Sequence, residues 1–402
     1  MDDVLAAAAG VDWRGLGERG LCDGCLGRLV GKAGHGFTNP ERGRALREAH
    51  RIEVGPCWLC RGLLEELPKF ADLVAAKLAD WEYNTFLVGS RVDAEVTERE
   101  ETLWVELGLT QGEPIKNEIN REVGKLVAAK TGKSADVHRP NVTAIVDTQY
   151  DVVDIEVAPL FFYGRYRKLS REIPQTRWPC RRCRGKGCDH CGGKGKMYPT
   201  SVEEIVAGEV MKQVGGAGHA LHGMGREDVD ALMLGNGRPF VVEISRPARR
   251  TVDLARVAEA VNRSGLAEVA DLRPSDHAEV VALKEDRADK TYRARIRFAA
   301  PVDAAKLNEG IRALAKARIA QRTPTRVSHR RSDLVRQRVL KGIDLLRADG
   351  REAEVEVTAE AGTYVKEVLH GDGGRTEPSL AGLTGVPCEV LALDVVRIHD
   401  TR

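Results

Sequence analysis

Eight of the nine cysteines in this chain fall into four Cys-x-x-Cys pairs: Cys22/Cys25, Cys57/Cys60, Cys180/Cys183 and Cys188/Cys191. Cys388 alone is left over. A Cys-x-x-Cys turn presents two sulfurs to one ion while local N–H groups stabilise the thiolates, and two such turns complete a tetrahedron. Disulfides are the other use of so many cysteines, but they belong to exported chains. Here the longest small-apolar run, Val4 to Val11, follows two aspartates instead of a basic stretch. It is also far short of the ~20 residues of a membrane span. Expected, therefore, are a cytoplasmic setting, no membrane attachment and two structural Zn²⁺ sites. Four protein ligands leave no position open for water, which disfavours catalysis at either ion.

The second cluster is compact, with four residues between its pairs, whereas thirty-one separate the pairs of the first. A thioredoxin-like dithiol would need a neighbouring βαβ pattern, and none is apparent. Cys180-Arg-Arg-Cys-Arg-Gly-Lys-Gly187 also echoes the glycine-rich zinc repeats of DnaJ-type co-chaperones, but only one partial repeat is present. Arginines wrapped around a zinc knuckle are better placed to meet phosphates, which makes Arg181, Arg182 and Arg184 candidate RNA-binding residues.

At 402 residues, with 42% apolar and 30% charged side chains, the chain has room for two or three domains with real cores. A net charge of +2 suggests no partner by itself. Its distribution is more informative: Gly164–Pro199 and Lys306–Lys341 each carry eleven Lys/Arg against two acids. Such local excess suggests a polyanion, the alternative being a solvated basic face.

Residues 1–65 read as a first, zinc-binding region. Helical periodicity is expected at 67–81 and 113–130, and strands at 85–96, 142–148 and 151–163, giving a compact α/β or α+β block. A zinc knuckle at 171–200 links this block to the rest. Ser201-Val-Glu-Glu204 is a capping box that starts a helix. Beyond it strands dominate, at 239–245, 279–283, 291–298, 352–358 and 389–398, with helices at 251–263 and 302–320. The expected class is α+β, its C-terminal half (201–402) built on a mixed, largely antiparallel sheet with helices on one face.

Two features carry candidate chemistry. Gly225-Arg-Glu-Asp228-Val-Asp230 follows a glycine-rich stretch, and its aspartates suit Mg²⁺ or a plain solvated turn. Arg322-Thr-Pro-Thr-Arg-Val-Ser-His-Arg-Arg331 is a proline-broken basic loop. Its Arg326, His329, Arg330 and Arg331 suit phosphate contacts. No Walker A or dinucleotide fingerprint is present. On residues alone the chain is a zinc-stabilised, multi-domain, RNA- or DNA-binding protein with a candidate carboxylate site, and no single reaction is selected.

At these motifs the sequence resembles the archaeal tRNA pseudouridine synthases of the Pus-ten family, over essentially its whole length. The match is carried by Gly225–Phe240, Lys290-Thr-Tyr-Arg-Ala294, the Arg322–Arg331 loop and Gly362–Thr376, together with both cysteine clusters. Leu232 departs from it, where a basic residue is expected. The resemblance implies a THUMP-like RNA-binding domain at 66–170 and a pseudouridine synthase catalytic domain at 201–402. It also implies isomerisation of two adjacent uridines in the TΨC arm, tRNA positions 54 and 55. Asp228 would be the nucleophile, and Lys366 its basic partner. Tyr292 would lie against the flipped base, with Tyr364, Val365, Leu393 and Arg226 as further substrate-binding residues. tRNA is the implied partner, with no organic cofactor and no obligatory protein partner. The alternative function is a non-catalytic, zinc-dependent tRNA-binding or chaperone protein. A THUMP-bearing methyltransferase or thiolase would need a cofactor or ATP loop that the sequence lacks.

Overall fold

Near the N-terminus the helices Asp23–Arg28 and Asn39–His50 cross backbone against backbone, because glycine stands at the crossing on each. A Cβ on Gly27 would lie 1.8 Å from the Asn39 carbonyl oxygen, and one on Gly43 1.9 Å from that of Asp23. No other residue permits this approach. Thr38 and Glu41 form a capping box that starts the second helix. The computed structural model describes residues 1–16, 19–53, 55–330 and 332–400, with the side chains at 14, 15, 329 and 330 left out. It divides into two compact units, Met1–Ala158 with Ala248–Arg250, and Pro159–Pro247 with Thr251–Arg402. No helix among the described residues is long and apolar enough to cross a membrane.

In the first unit, four strands take the order Ser134–Ala135, Thr85–Arg91, Val142–Asp147, Val152–Val157. The first two pairings are parallel and the last antiparallel. Helices Leu67–Leu78 and Ile115–Thr131 bury Phe70, Val74, Ile119 and Val123 in one core with Phe86 and Val146, as their spacing predicts. The strand expected at 85–96 stops at Arg91, because Asp93 accepts a hydrogen bond from the Glu95 N–H and caps a helix, Ala94–Glu106.

The second unit is built on a ten-stranded sheet. Its order is Thr376–Glu377, Arg318–Arg322, Val335–Asp349, Glu352–Ala359, Asp289–Phe298, Cys388–His399, Met233–Ser245, Leu160–Lys168, Ala267–Ser275, with Gly218–Gly223 paired to Met233–Ser245. Every pairing is antiparallel except the single parallel bridge Val395–Met233. The unit has two hydrophobic cores, and Tyr292 packs against both.

The structure departs from the expected elements in several places. The run 151–163 is two strands, and Leu160–Lys168 belongs to the large sheet, so the first compact unit ends at Ala158 and not near 170. The apolar residues of 279–283 lie in a helix, His277–Glu285, which Asp276 caps. A run of five residues is too short to separate the two periods. The helix expected over 302–320 ends at Lys316 and gives way to the strand Arg318–Arg322. Val335–Asp349 is a strand that the sequence does not announce, because it is mostly exposed and basic and shows little alternation.

Candidate active site

Asp228 sits in the irregular loop between Gly223 and Met233, held from below by a buried polar network. The Tyr166 hydroxyl donates to Glu227 Oε2 at 2.8 Å, and Arg238 Nε donates to the same oxygen at 2.9 Å. Arg238 Nη1 donates to the Met224 carbonyl at 2.6 Å. Gln175 Nε2 donates to Tyr166 Oη (2.8 Å) and to the Gly225 carbonyl (3.0 Å). All four side chains are buried. Lys168 is buried too, and its ammonium donates to the carbonyls of Ile173 (3.0 Å), Asp228 (3.3 Å) and Val229 (2.6 Å). Burial pulls that ammonium below its usual range. The far end of the loop is stitched to the last strand: Arg171 grips Asp394 at 2.7 and 2.8 Å, and Asp394 Oδ1 accepts the Leu232 N–H at 2.9 Å. Leu232 makes this contact through its backbone.

The Asp228 carboxylate faces a cavity of about 420 Å³. Oδ2 lies 3.2 Å from Arg326 Nη1 and 3.4 Å from Lys366 Nζ. Tyr292, Tyr364, Val365, Leu393 and Arg226 line the same cavity, so every expected catalytic and substrate-binding residue meets there. Strand pairing explains part of this convergence: Tyr292 stands opposite Val395, and Leu393 opposite Ala294. The helix Val365–His370 buries Val365, Val368 and Leu369, which leaves Lys366 facing the aspartates. Gln321 fixes Tyr364 through its backbone, donating to its carbonyl at 3.0 Å and accepting its N–H at 2.8 Å. Burial raises the Tyr292 phenol above its ordinary pKa, so it stays protonated near neutrality.

Lys366 is closer to Asp230, at 3.0 Å. Burial works against the Asp230 charge, but the Lys366 ammonium outweighs it and holds that carboxyl below its usual range. Asp230 is nonetheless 70% exposed and does not line the cavity. Arg326, expected to meet phosphate, bridges two carboxylates, its Nε donating to buried Glu367 at 2.7 Å. Arg331 lies outside the described residues, as do the side chains of His329 and Arg330. Lys290, quoted only as part of a motif, lines the cavity with its pKa brought down to about 8, mainly by burial and then by the Arg238 charge. Sequence reasoning gives no role to Glu227, Arg238 or Gln175, and counts Lys168 only among the basic residues of its segment. A buried Lys or Arg cannot be told from an exposed one by residue type, and most are exposed.

Both cysteine clusters assemble. In each, the four sulfurs lie within 4.8 Å of one another. Cys22–Cys60, Cys180–Cys188, Cys183–Cys191 and Cys188–Cys191 are 3.8 Å apart. That is the edge of a tetrahedron whose metal–sulfur bonds are about 2.3 Å long. N–H groups of Gly187 and Gly195 point at Cys183 and Cys191 at 3.1 Å, and that of Cys25 at Cys22 at 3.4 Å. Each cluster can therefore hold a metal ion. Cys388 stands apart, its thiol pushed up to about 11 by burial.

Residues 161–399 match the family model "Pus10, C-terminal", and residues 70–147 match "Pus10 THUMP domain, archaeal". A tRNA pseudouridine synthase Pus10 from Halorubrum lacusprofundi is 44% identical, over 99% of this chain and 96% of that protein. The protein of the same name from Methanothrix thermoacetophila is 41% identical, over 94% and 91%. A solved Cbf5-Nop10-Gar1 complex aligns at 20% identity and a TM-score of 0.32, over 50% of this chain and 46% of that one. On the family models and the whole-length identities, the chain belongs to the Pus10 family of tRNA pseudouridine synthases.

Proposed function

We propose that this chain isomerises uridine to pseudouridine at two adjacent positions, 54 and 55, of the TΨC arm of tRNA, with Asp228 as the nucleophile. The observation that carries this reading is the Asp228 carboxylate, set in the cavity between Lys366 and Arg326. A uridine in a folded RNA loop must be flipped out before its glycosidic bond is reached. Tyr292 stacks on the extruded ring and offsets part of the unstacking cost. Lys366 and Arg326 hold the carboxylate from two sides and aim it at the sugar and base. Asp228 attacks the sugar or the base, the C1′–N1 bond breaks, uracil turns, a C1′–C5 bond forms, and the bond to Asp228 breaks to return the free carboxylate. The C5 proton then leaves, with Asp228 as the base, and N1 gains a proton. The pieces of the nucleotide are conserved, so no organic cofactor takes part. The knuckle arginines Arg181, Arg182 and Arg184, with the Arg322–Arg331 loop, hold the RNA backbone. The THUMP domain supplies further RNA contacts.

Mapping pseudouridine in unmodified tRNA transcripts after incubation with the purified chain tests this. Two adjacent modified uridines in the TΨC arm are expected. Modification confined to another arm would overturn the assignment of position.

Cys22, Cys25, Cys57 and Cys60 would hold one Zn²⁺, and Cys180, Cys183, Cys188 and Cys191 a second, each tying its two turns together without touching substrate. Metal analysis of the purified chain should give about two zincs per chain, and strong chelators should release them with loss of folded structure. A single zinc would mean that one cluster holds no metal, and the widely spaced first site would be the one in question.

A further inference from the structure

An aromatic pair that no metal-binding role requires stands at the neck of the knuckle, and Arg226 joins it to the cavity. The neck is closed by backbone: the Met197 N–H donates to the Trp178 carbonyl at 3.0 Å, and the Cys180 N–H to that of Gly195 at 2.8 Å. Yet Trp178 and Tyr198 flank that neck, half-buried, with ring centroids 5.4 Å apart and planes at 80°. The Arg226 guanidinium lies over the Trp178 ring, 5.8 Å from its centroid. Arg226 is exposed and lines the Asp228 cavity. Its neighbours are pinned, Gly225 by Gln175 and Glu227 by Tyr166 and Arg238. The backbone under Arg226 is thus fixed relative to Asp228, while its side chain reaches across to the indole.

The charges beyond the neck point the same way. Arg165, Arg167, Arg171 and Lys196 are tied to Asp400, Glu268, Asp394 and Glu204. Arg181, Arg182, Arg184, Lys186 and Lys194 are exposed, and none makes an ion pair among the described residues. A half-buried indole under a guanidinium, between a reaction cavity and uncommitted cations, suits an unpaired nucleotide: a flat ring to stack and a phosphate to neutralise.

We infer that Trp178, with Tyr198 and Arg226, forms a second nucleobase subsite, which stacks the unpaired base next to the uridine in the cavity. This rests on the RNA-modifying reading above and adds a residue that grips substrate without touching the reacting atoms.

Binding of a TΨC stem-loop RNA by full-length Asp228→Asn protein tests the subsite apart from the chemistry. Trp178→Ala should weaken binding about ten-fold, the order expected for one lost stack. Trp178→Phe should recover most of that loss, and both variants should keep their zinc. An RNA made abasic at each flanking position in turn should lose a similar factor on the parent at one position, and lose nothing further on Trp178→Ala. An equal abasic penalty on both proteins would overturn the proposal, as would unchanged affinity of a zinc-replete Trp178→Ala. If the wild-type chain forms pseudouridine while either result holds, the subsite alone falls. If it forms none on any tRNA, the functional reading falls first.

Discussion

Arg238→Met should lower the stability of the second unit by about 3–5 kcal/mol, the cost of stranding a buried charge without its partner. For a unit of this size that is a Tm drop on the order of 10 °C. Arg238 and Glu227 are both almost fully buried, at 2% and 1% side-chain exposure, and meet at 2.9 Å. Removing the guanidinium leaves Glu227 with the Tyr166 hydroxyl, and also frees the Met224 carbonyl. Catalysis should fall by more than the unfolded fraction accounts for, because Glu227 is the residue next to Asp228. The double variant Arg238→Met/Glu227→Gln removes both charges and should regain much of the stability, but not the activity. Thermal unfolding that leaves the single variant within about 1 °C of the parent would show that the pair does not hold the loop.

Legibility in the sequence follows the range of the interactions. The cysteine spacing and helical periods such as Phe70/Val74 are local, and the structure assembles both as expected. The convergence of Asp228, Tyr292 and Lys366 is not local. It depends on strand order and on the Val395–Met233 bridge, which no window of residues encodes, and only the family resemblance reaches it. Charged residues used as structure stay hidden. Lys168 and Arg165 count among the cations offered to a polyanion, yet one is buried on three carbonyls and the other is locked to Asp400. Arg326 likewise reads as a phosphate ligand and lies on Asp228. Apart from Ile173, the partners are remote along the chain, so charge density alone misjudges how many cations remain free.

In the proposed mechanism one carboxylate, Asp228, does the covalent work. Its neighbour Asp230 shares Lys366 and is the nearer of the two, so the pair provides an internal control. Asp228→Asn is nearly isosteric and keeps the loop anchored through the backbone carbonyl bound by Lys168. It should not disturb RNA binding, and affinity should stay within a few-fold. Loss of the nucleophile should cost roughly 10⁴-fold or more in the chemical step, as removal of a reacting group does in other enzymes that pass through covalent intermediates. Asp230→Asn should cost less than about ten-fold, the range of a partner that only shares a cation. The decisive measurement is single-turnover release of tritium from tRNA transcribed with C5-tritiated uridine, using parent, Asp228→Asn and Asp230→Asn proteins saturated with RNA. The mechanism predicts release by the parent and by Asp230→Asn, and none above background from Asp228→Asn bound to the same RNA. Release by Asp228→Asn within about ten-fold of the parent rate would contradict it.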